Sequence, residues 1–193
     1  MPRICVFTGS RDGCRSSYRV AAVELGRVLV DRGFELVYGG AHVGLMGALA
    51  DSVLEAGGRA IGVIPQSLVD REVAHTRLSE LRVVATMHER KALMADLSDG
   101  FIAMPGGWGT FEELFEVLTW SQLGLHGKPC GLLNVDDYFG PLVALLTHAA
   151  NEGFVKPDAA GFIPVEASPG ALLDAFAAYR PPAVRTWNGR DVR

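Results

Sequence analysis

The sequence predicts an α/β fold of the Rossmann-like kind, a doubly wound and mostly parallel sheet with helices on both faces. Two patterns predict it. Apolar runs of strand length alternate with longer segments of helical period, and glycine or proline marks nearly every change between them. The apolar runs are also nearly continuous, as expected of strands that helices cover on both faces. Strand–helix–strand repeats of this kind form parallel sheets, in which the crossover connections are right-handed.

The elements follow one another through residues 1–180, which we take as one domain, and residues 181–193 are expected to lie on the surface or against a partner subunit. Apolar runs predict strands at Ile4–Thr8, Glu35–Tyr38, Ala60–Ile64, Arg82–Ala85, Gly100–Met104, Cys130–Val135 and, more weakly, Phe162–Val165. Apolar residues at helical spacing predict helices at 17–32, 44–56, 87–98, 110–123, 139–151 and 169–179. Residues 65–81 are polar without a clear period, and such long connections are often functional.

Composition excludes several classes of protein. The 193 residues include 18 Lys and Arg against 22 Asp and Glu, a net charge of -4, and 49% are hydrophobic. These figures exclude a disordered chain, a collagen and a broadly basic nucleic-acid binder. A mildly acidic chain can still bind a nucleotide through a focused local site.

Cysteine usage and hydropathy point to the cytoplasm. Cys5, Cys14 and Cys130 are far apart, without the spacing of a metal site, so reduced thiols are the simplest interpretation. The first residues lack the pattern of a secretory signal, and no apolar run reaches the length of a membrane span. We therefore expect no membrane partner and no metal.

Three glycine-rich turns follow predicted strands. They are FTGSRDG at residues 7–13, YGGAHVGLMG at 38–47 and PGGWGTFEE at 105–113. In a parallel sheet these turns converge at the carboxyl ends of the strands, where ligands bind. The sequence therefore predicts a ligand that approaches the backbone closely at this edge.

The third turn has the features of an anion site. Its glycines precede a helix with an apolar stripe, and free amides at a helix start attract phosphate or carboxylate. A simple tight turn explains the glycines equally well. The turn matches neither the Walker loop nor the dinucleotide fingerprint, so a hydride-transfer enzyme is disfavoured. The stripe comprises Phe111, Leu114, Phe115 and Leu118.

Two charged residues near this turn have competing interpretations. Thr110 and Glu113 form a T-x-x-E capping box, which the local sequence favours over a role at a ligand. Glu112 beside it would repel a phosphate unless one of the two acids faces elsewhere. Arg90 shares a helical stripe with Met87 and Met94, so its guanidinium needs an anionic ligand or a carboxylate partner. The competing interpretations are that it extends to solvent or that it forms a purely structural ion pair.

The segments MHERK and PGGWGTFEE resemble the MHxRK and PGGxGTxxE motifs of the LOG family, the cytokinin-activating phosphoribohydrolases often labelled lysine decarboxylases. The likeness runs from about Ile4 to Tyr179. It departs from the family's pattern at FTGSRDG, which replaces a more serine-rich turn, and at Ala41, which stands where a third glycine is usual.

The resemblance implies a nucleotide-binding, usually dimeric enzyme that hydrolyses the N-glycosidic bond of cytokinin riboside 5'-monophosphates, and often of adenosine monophosphate, without a cofactor. It implies that Arg90 and Glu113 are the catalytic pair. The phosphate would rest on the amides of Gly106–Thr110, called the phosphate turn below. The substrate contacts that the resemblance implies, with this turn included, are Glu72, Arg90, Lys91, Gly106, Gly107, Trp108, Gly109, Thr110, Phe111, Glu112 and Glu113.

Two other interpretations stay open at this stage. Molybdenum-cofactor carriers share the fold and the glycine turns, so a non-catalytic carrier of a nucleotide or of that cofactor is the alternative function. Trp108 and Trp120 either line a base pocket or pack in the core. Lysine decarboxylation would require pyridoxal phosphate on a lysine, and Lys91, Lys128 and Lys156 stand in no such context.

Overall fold

The computed structural model describes residues 1–71, 73–155 and 163–181. Glu72, residues 156–162 and most of the predicted tail lie outside the described residues. Within them, seven parallel strands form one sheet in the order β4-β3-β2-β1-β5-β6-β7. The strands are β1 Arg3–Phe7, β2 Glu35–Tyr38, β3 Ala60–Pro65, β4 Glu80–Val84, β5 Gly100–Ala103, β6 Cys130–Leu133 and β7 Val165–Glu166.

Helices precede or follow these strands, and the sequence predicts six of the seven α-helices in the described residues. The helices are α1 Ser16–Asp31, α2 Gly44–Glu55, α3 Gln66–Val69, α4 Met87–Asp96, α5 Trp108–Gln122, a 3₁₀ turn at Val135–Asp137, α6 Gly140–Asn151 and α7 Pro169–Ala178. The predicted fold class is therefore confirmed. No helix in the described part of the chain combines the length and apolar character that a bilayer span requires.

Two details of the prediction are wrong. Strand β4 lies at the edge of the sheet, and its Leu81 and Val83 are exposed, so this strand is not covered on both faces. An edge strand has a neighbour on one side only, which leaves fewer groups to cover it. The connection after β3 is also less irregular than expected, because it contains α3 and an antiparallel bridge between Ala74 and Ala41.

Two apolar layers cover the sheet. On one face, α1 and α2 pack closely at Gly26, where an added methyl group would lie 2.8 Å from the Ser52 side chain. On the other face, Met94 of α4 and Val117 of α5 are buried against Phe101 of β5. Because α4 and α5 share this core, their amino-terminal turns are held near the same edge of the sheet.

The strand order has a switch point between β1 and β5. The chain runs outward from β1 to β4, then returns to the other side of β1 as β5, and ligands bind at such switch points. Here the Gly9 amide donates to the Pro105 carbonyl at 3.2 Å, and the Met46 amide donates to the Gly9 carbonyl at 3.3 Å. The three glycine turns therefore meet at one place, as the sequence predicts.

Candidate active site

Arg90 lies in the first turn of α4 and is buried. Its Nη1 is 3.2 Å from Oε1 of Glu113, and both side chains are about nine-tenths buried. Its Nε also donates to the Val63 carbonyl at 3.0 Å. The expected carboxylate partner of this guanidinium is confirmed, and the interpretation that it extends to solvent is wrong. The ion pair agrees with both the ligand-binding and the purely structural interpretation of Arg90.

Gly39 leaves room for this guanidinium. A methyl group at Gly39 would overlap Nη2 of Arg90 and would lie 3.2 Å from its Cζ. The first glycine of the second turn therefore contacts Arg90 directly. Sequence reasoning identified the turn but not this contact, because residues 39 and 90 are joined only by the fold.

Glu113 is buried on the facing surface of α5, and its pKa is raised to about 7. Burial is the main cause, since it disfavours the charged form, and Arg90 opposes the shift without cancelling it. A carboxyl with this pKa changes its charge near neutral pH. Groups with such values are candidates for proton transfer or for stabilising a cationic transition state.

The capping interpretation of Glu113 is wrong. Helix α5 begins at Trp108 with Gly107 in the capping position, so Thr110 already lies within the helix and is buried. The Glu113 carboxylate pairs with Arg90 instead of returning to the start of the helix. Its role therefore follows from contacts between helices.

Lys91 and Glu112 form a second pair beside the first. The Lys91 ammonium contacts Glu112 and lies 3.1 Å from Glu116, one turn further along α5. Burial lowers the pKa of Lys91, but hydrogen bonds to these two carboxylates outweigh it and leave the pKa raised. Each acid of α5 contacts a cation of α4, so the repulsion expected between these carboxylates and a bound phosphate is reduced.

The start of α5 presents open backbone amides. No side chain caps this helix, and its first turn contains no acid. Among the described residues, none accepts a hydrogen bond from the amides of Gly107, Trp108 or Gly109. Added methyl groups at Gly107 and Gly109 would meet open space, whereas one at Gly106 would overlap Thr110. Amides and the helix dipole together make this turn suitable for an anion.

Comparison with known proteins places this chain in a family. The family model described as "Possible lysine decarboxylase" matches residues 46–176. A cytokinin riboside 5'-monophosphate phosphoribohydrolase of Arabidopsis thaliana is 50% identical over 179 residues, which are 93% of this chain and 83% of that protein. A probable enzyme of the same name from Oryza sativa subsp. japonica is 51% identical over 93% of this chain and 73% of its own length. The chain belongs to the LOG family.

Solved structures of molybdenum-cofactor proteins share the fold of this LOG-family chain. The carrier protein of Chlamydomonas reinhardtii has a TM-score of 0.71 at 23% identity, covering 92% of this chain and 96% of that one. The cofactor-binding protein of Rippkaea orientalis has a TM-score of 0.69 at 22% identity, with the same coverage. At these identities the likeness concerns the fold alone.

Two aromatic residues of α5 differ from expectation. Trp108 is 90% exposed, so packing in the core is wrong for this residue, whereas Trp120 packs partly buried against the core. Phe115 is 39% exposed and does not belong to the buried stripe, which Leu114 and Leu118 form with Phe111. Trp108 and Phe115 are seven residues apart and therefore share an outward face of the helix.

Proposed function

We propose that this LOG-family chain hydrolyses the N-glycosidic bond of cytokinin riboside 5'-monophosphates and of adenosine monophosphate. The products are the free base and ribose 5-phosphate. The observation that carries the proposal is the buried Arg90–Glu113 pair, 3.2 Å between charged atoms, beside the open amino end of α5. Family membership supports it, since the relatives named above are phosphoribohydrolases at about half identity.

The phosphate binds at the amino end of α5. The amides of Gly107, Trp108 and Gly109 donate to its oxygens, and the helix dipole adds a favourable potential. Lys91 lies close by, yet its ammonium is already held by Glu112 and Glu116, so it acts through local charge. This placement brings the ribose between α4 and α5, next to the catalytic pair.

Arg90 and Glu113 act on the glycosidic bond. Its cleavage passes through an oxocarbenium-like state, which the ionised Glu113 stabilises while orienting the attacking water. The water supplies a hydroxyl to the ribose and a proton to the departing base. The guanidinium of Arg90 contributes positive charge and holds Glu113 in place.

Base release from the nucleotide tests this proposal. Wild type is incubated with adenosine monophosphate or isopentenyladenosine monophosphate, and chromatography measures the free base. Glu113→Gln keeps the shape and the hydrogen-bond acceptor but loses the charge, so turnover should fall by at least about 10²-fold. Arg90→Ala should abolish it. Wild-type rates in either variant would remove that residue from the mechanism.

The same proposal includes a homodimer in the cytoplasm. Trp108 and Phe115 on the outward face of α5, with Leu123 just beyond the helix, expose apolar surface that a second copy would cover. Free thiols at all three cysteines suit a reducing compartment. Sedimentation velocity of the whole chain should show twice the monomer mass, and sedimentation as a monomer would contradict the dimer.

A carrier function is the second candidate, favoured only by the shared fold with the cofactor carriers. Tight nucleotide binding without release of base would support it.

Decarboxylation of lysine fits the residues poorly. The Lys91 ammonium is engaged by two carboxylates and that of Lys128 donates to the Ala95 carbonyl at 2.8 Å, so neither is placed as a Schiff-base lysine for pyridoxal phosphate.

A further inference from the structure

Tyr138 connects the end of β6 to the phosphate turn. Its hydroxyl donates to the carbonyl oxygen of Gly106. The ring is oriented by aromatic neighbours on several sides. It stacks on Phe111 with centroids 6.4 Å apart, and it packs edge-on against Tyr18 at 5.8 Å and Phe139 at 5.0 Å.

An unusual backbone turn presents this tyrosine. Asp136 and Asp137 have φ angles of 51° and 57°, a region that residues other than glycine rarely adopt. Contacts on both sides hold the turn. Ser17 Oγ donates to Asp136 at 2.5 Å, and the Phe139 amide donates to the Asn134 side chain at 2.7 Å. Such conformations persist where surrounding contacts determine them, and they cluster at functional sites.

The hydroxyl fixes the direction of a peptide group in the turn. In a trans peptide the carbonyl and the following amide point in opposite directions, and the described chain has no cis bonds. The Pro105 carbonyl accepts from the Gly9 amide at 3.2 Å and from Thr8 Oγ1 at 3.1 Å. The Gly106 carbonyl accepts from Tyr138. The amides of Gly106 and Gly107 therefore point away from these donors.

We infer that Tyr138 is a positioning residue for phosphate binding. By holding the Gly106 carbonyl, its hydroxyl directs the Gly107 amide toward the phosphate at the start of α5. It acts through this peptide group and does not contact the reacting atoms. The inference rests on the proposed function, because it assumes that the phosphate of the substrate binds at this turn.

Tyr138→Phe tests the inference, since it removes the hydroxyl and keeps the ring. Calorimetry measures the binding of ribose 5-phosphate and of adenine to wild type and variant. The dissociation constant of ribose 5-phosphate should rise about three- to tenfold, as expected for one lost hydrogen bond. Adenine binding should not change. In steady-state assays with adenosine monophosphate, KM should rise by the same factor while kcat stays within about twofold.

Tyr18→Phe is the matched control, because it removes a hydroxyl from a ring that packs against Tyr138. It should leave both dissociation constants at the wild-type values. Unchanged ribose 5-phosphate binding in Tyr138→Phe would overturn the inference while the proposed function stands. Equal weakening of adenine and ribose 5-phosphate, with a lower melting temperature, would also overturn it by showing a merely structural role. Wild type that neither binds ribose 5-phosphate nor releases base would instead refute the proposed function.

Discussion

The buried carboxyl of Glu113 should make the stability of the protein depend on pH in an unusual direction. Its pKa rises from an ordinary value of 4.5 to about 7 in the folded chain. Between these values the folded protein keeps a proton that the unfolded chain loses, so the free energy of unfolding falls as pH rises. One pKa unit corresponds to about 1.4 kcal/mol, so the full effect is about 3 kcal/mol.

Glu113→Gln removes this effect, because an amide does not ionise. Urea unfolding followed by circular dichroism gives the free energy of unfolding of both proteins at several values between about pH 4.5 and about pH 8. Wild type should lose about 3 kcal/mol more than the variant across this range. Glu24→Gln removes a carboxylate from the exposed face of α1 and should keep the wild-type dependence. Parallel curves for wild type and Glu113→Gln would refute the reasoning.

Two further predictions concern glycines of the site. Gly39→Ala places a methyl group on the Arg90 guanidinium, so kcat/KM for base release should fall about 10²-fold with an unchanged far-ultraviolet spectrum, and near-wild-type activity would contradict the contact. Gly107→Ala points a methyl group into the open space where the phosphate is proposed, so KM should rise at least about tenfold, a loss of about 1.4 kcal/mol. Gly170→Ala, which also meets open space but lies in α7, should leave KM unchanged; equal effects of both substitutions would exclude a local cause.

Local patterns predicted elements well and their ends less well. Alternation of apolar runs with helical segments predicted every strand from β1 to β6 within two residues at each end. The start of α5 was misplaced, because the pattern at Thr110 and Glu113 satisfies a capping box that the protein does not form. That start depends on the approach of the Gly106 turn to Gly9, a contact across nearly a hundred residues.

The site residues also differ in how far the local sequence predicts their contacts. The contact of Glu116 with Lys91 was missed, although the sequence contains a signal for it. Glu112 and Glu116 are one helical turn apart, so a cation that contacts one of them can also contact the other. Arg90 could be recognised as a cation that required a partner. The contact of Gly39 with Arg90, and of Tyr138 with Gly106, left no comparable signal. Each joins segments that are distant in the chain.

The amino-acid pattern alone was enough to predict the parallel α/β fold, the edge of the sheet where the glycine turns converge, and the family, from its two motifs. These depend on periodicity and on short segments, which each stretch of chain carries on its own. The pairing of Glu113 with Arg90, in place of a helix cap, and the burial that raises the pKa of Glu113 to about 7 became visible only in the folded chain. Burial and pairing arise from the packing of α4 against α5 over the sheet, and no single segment contains that information.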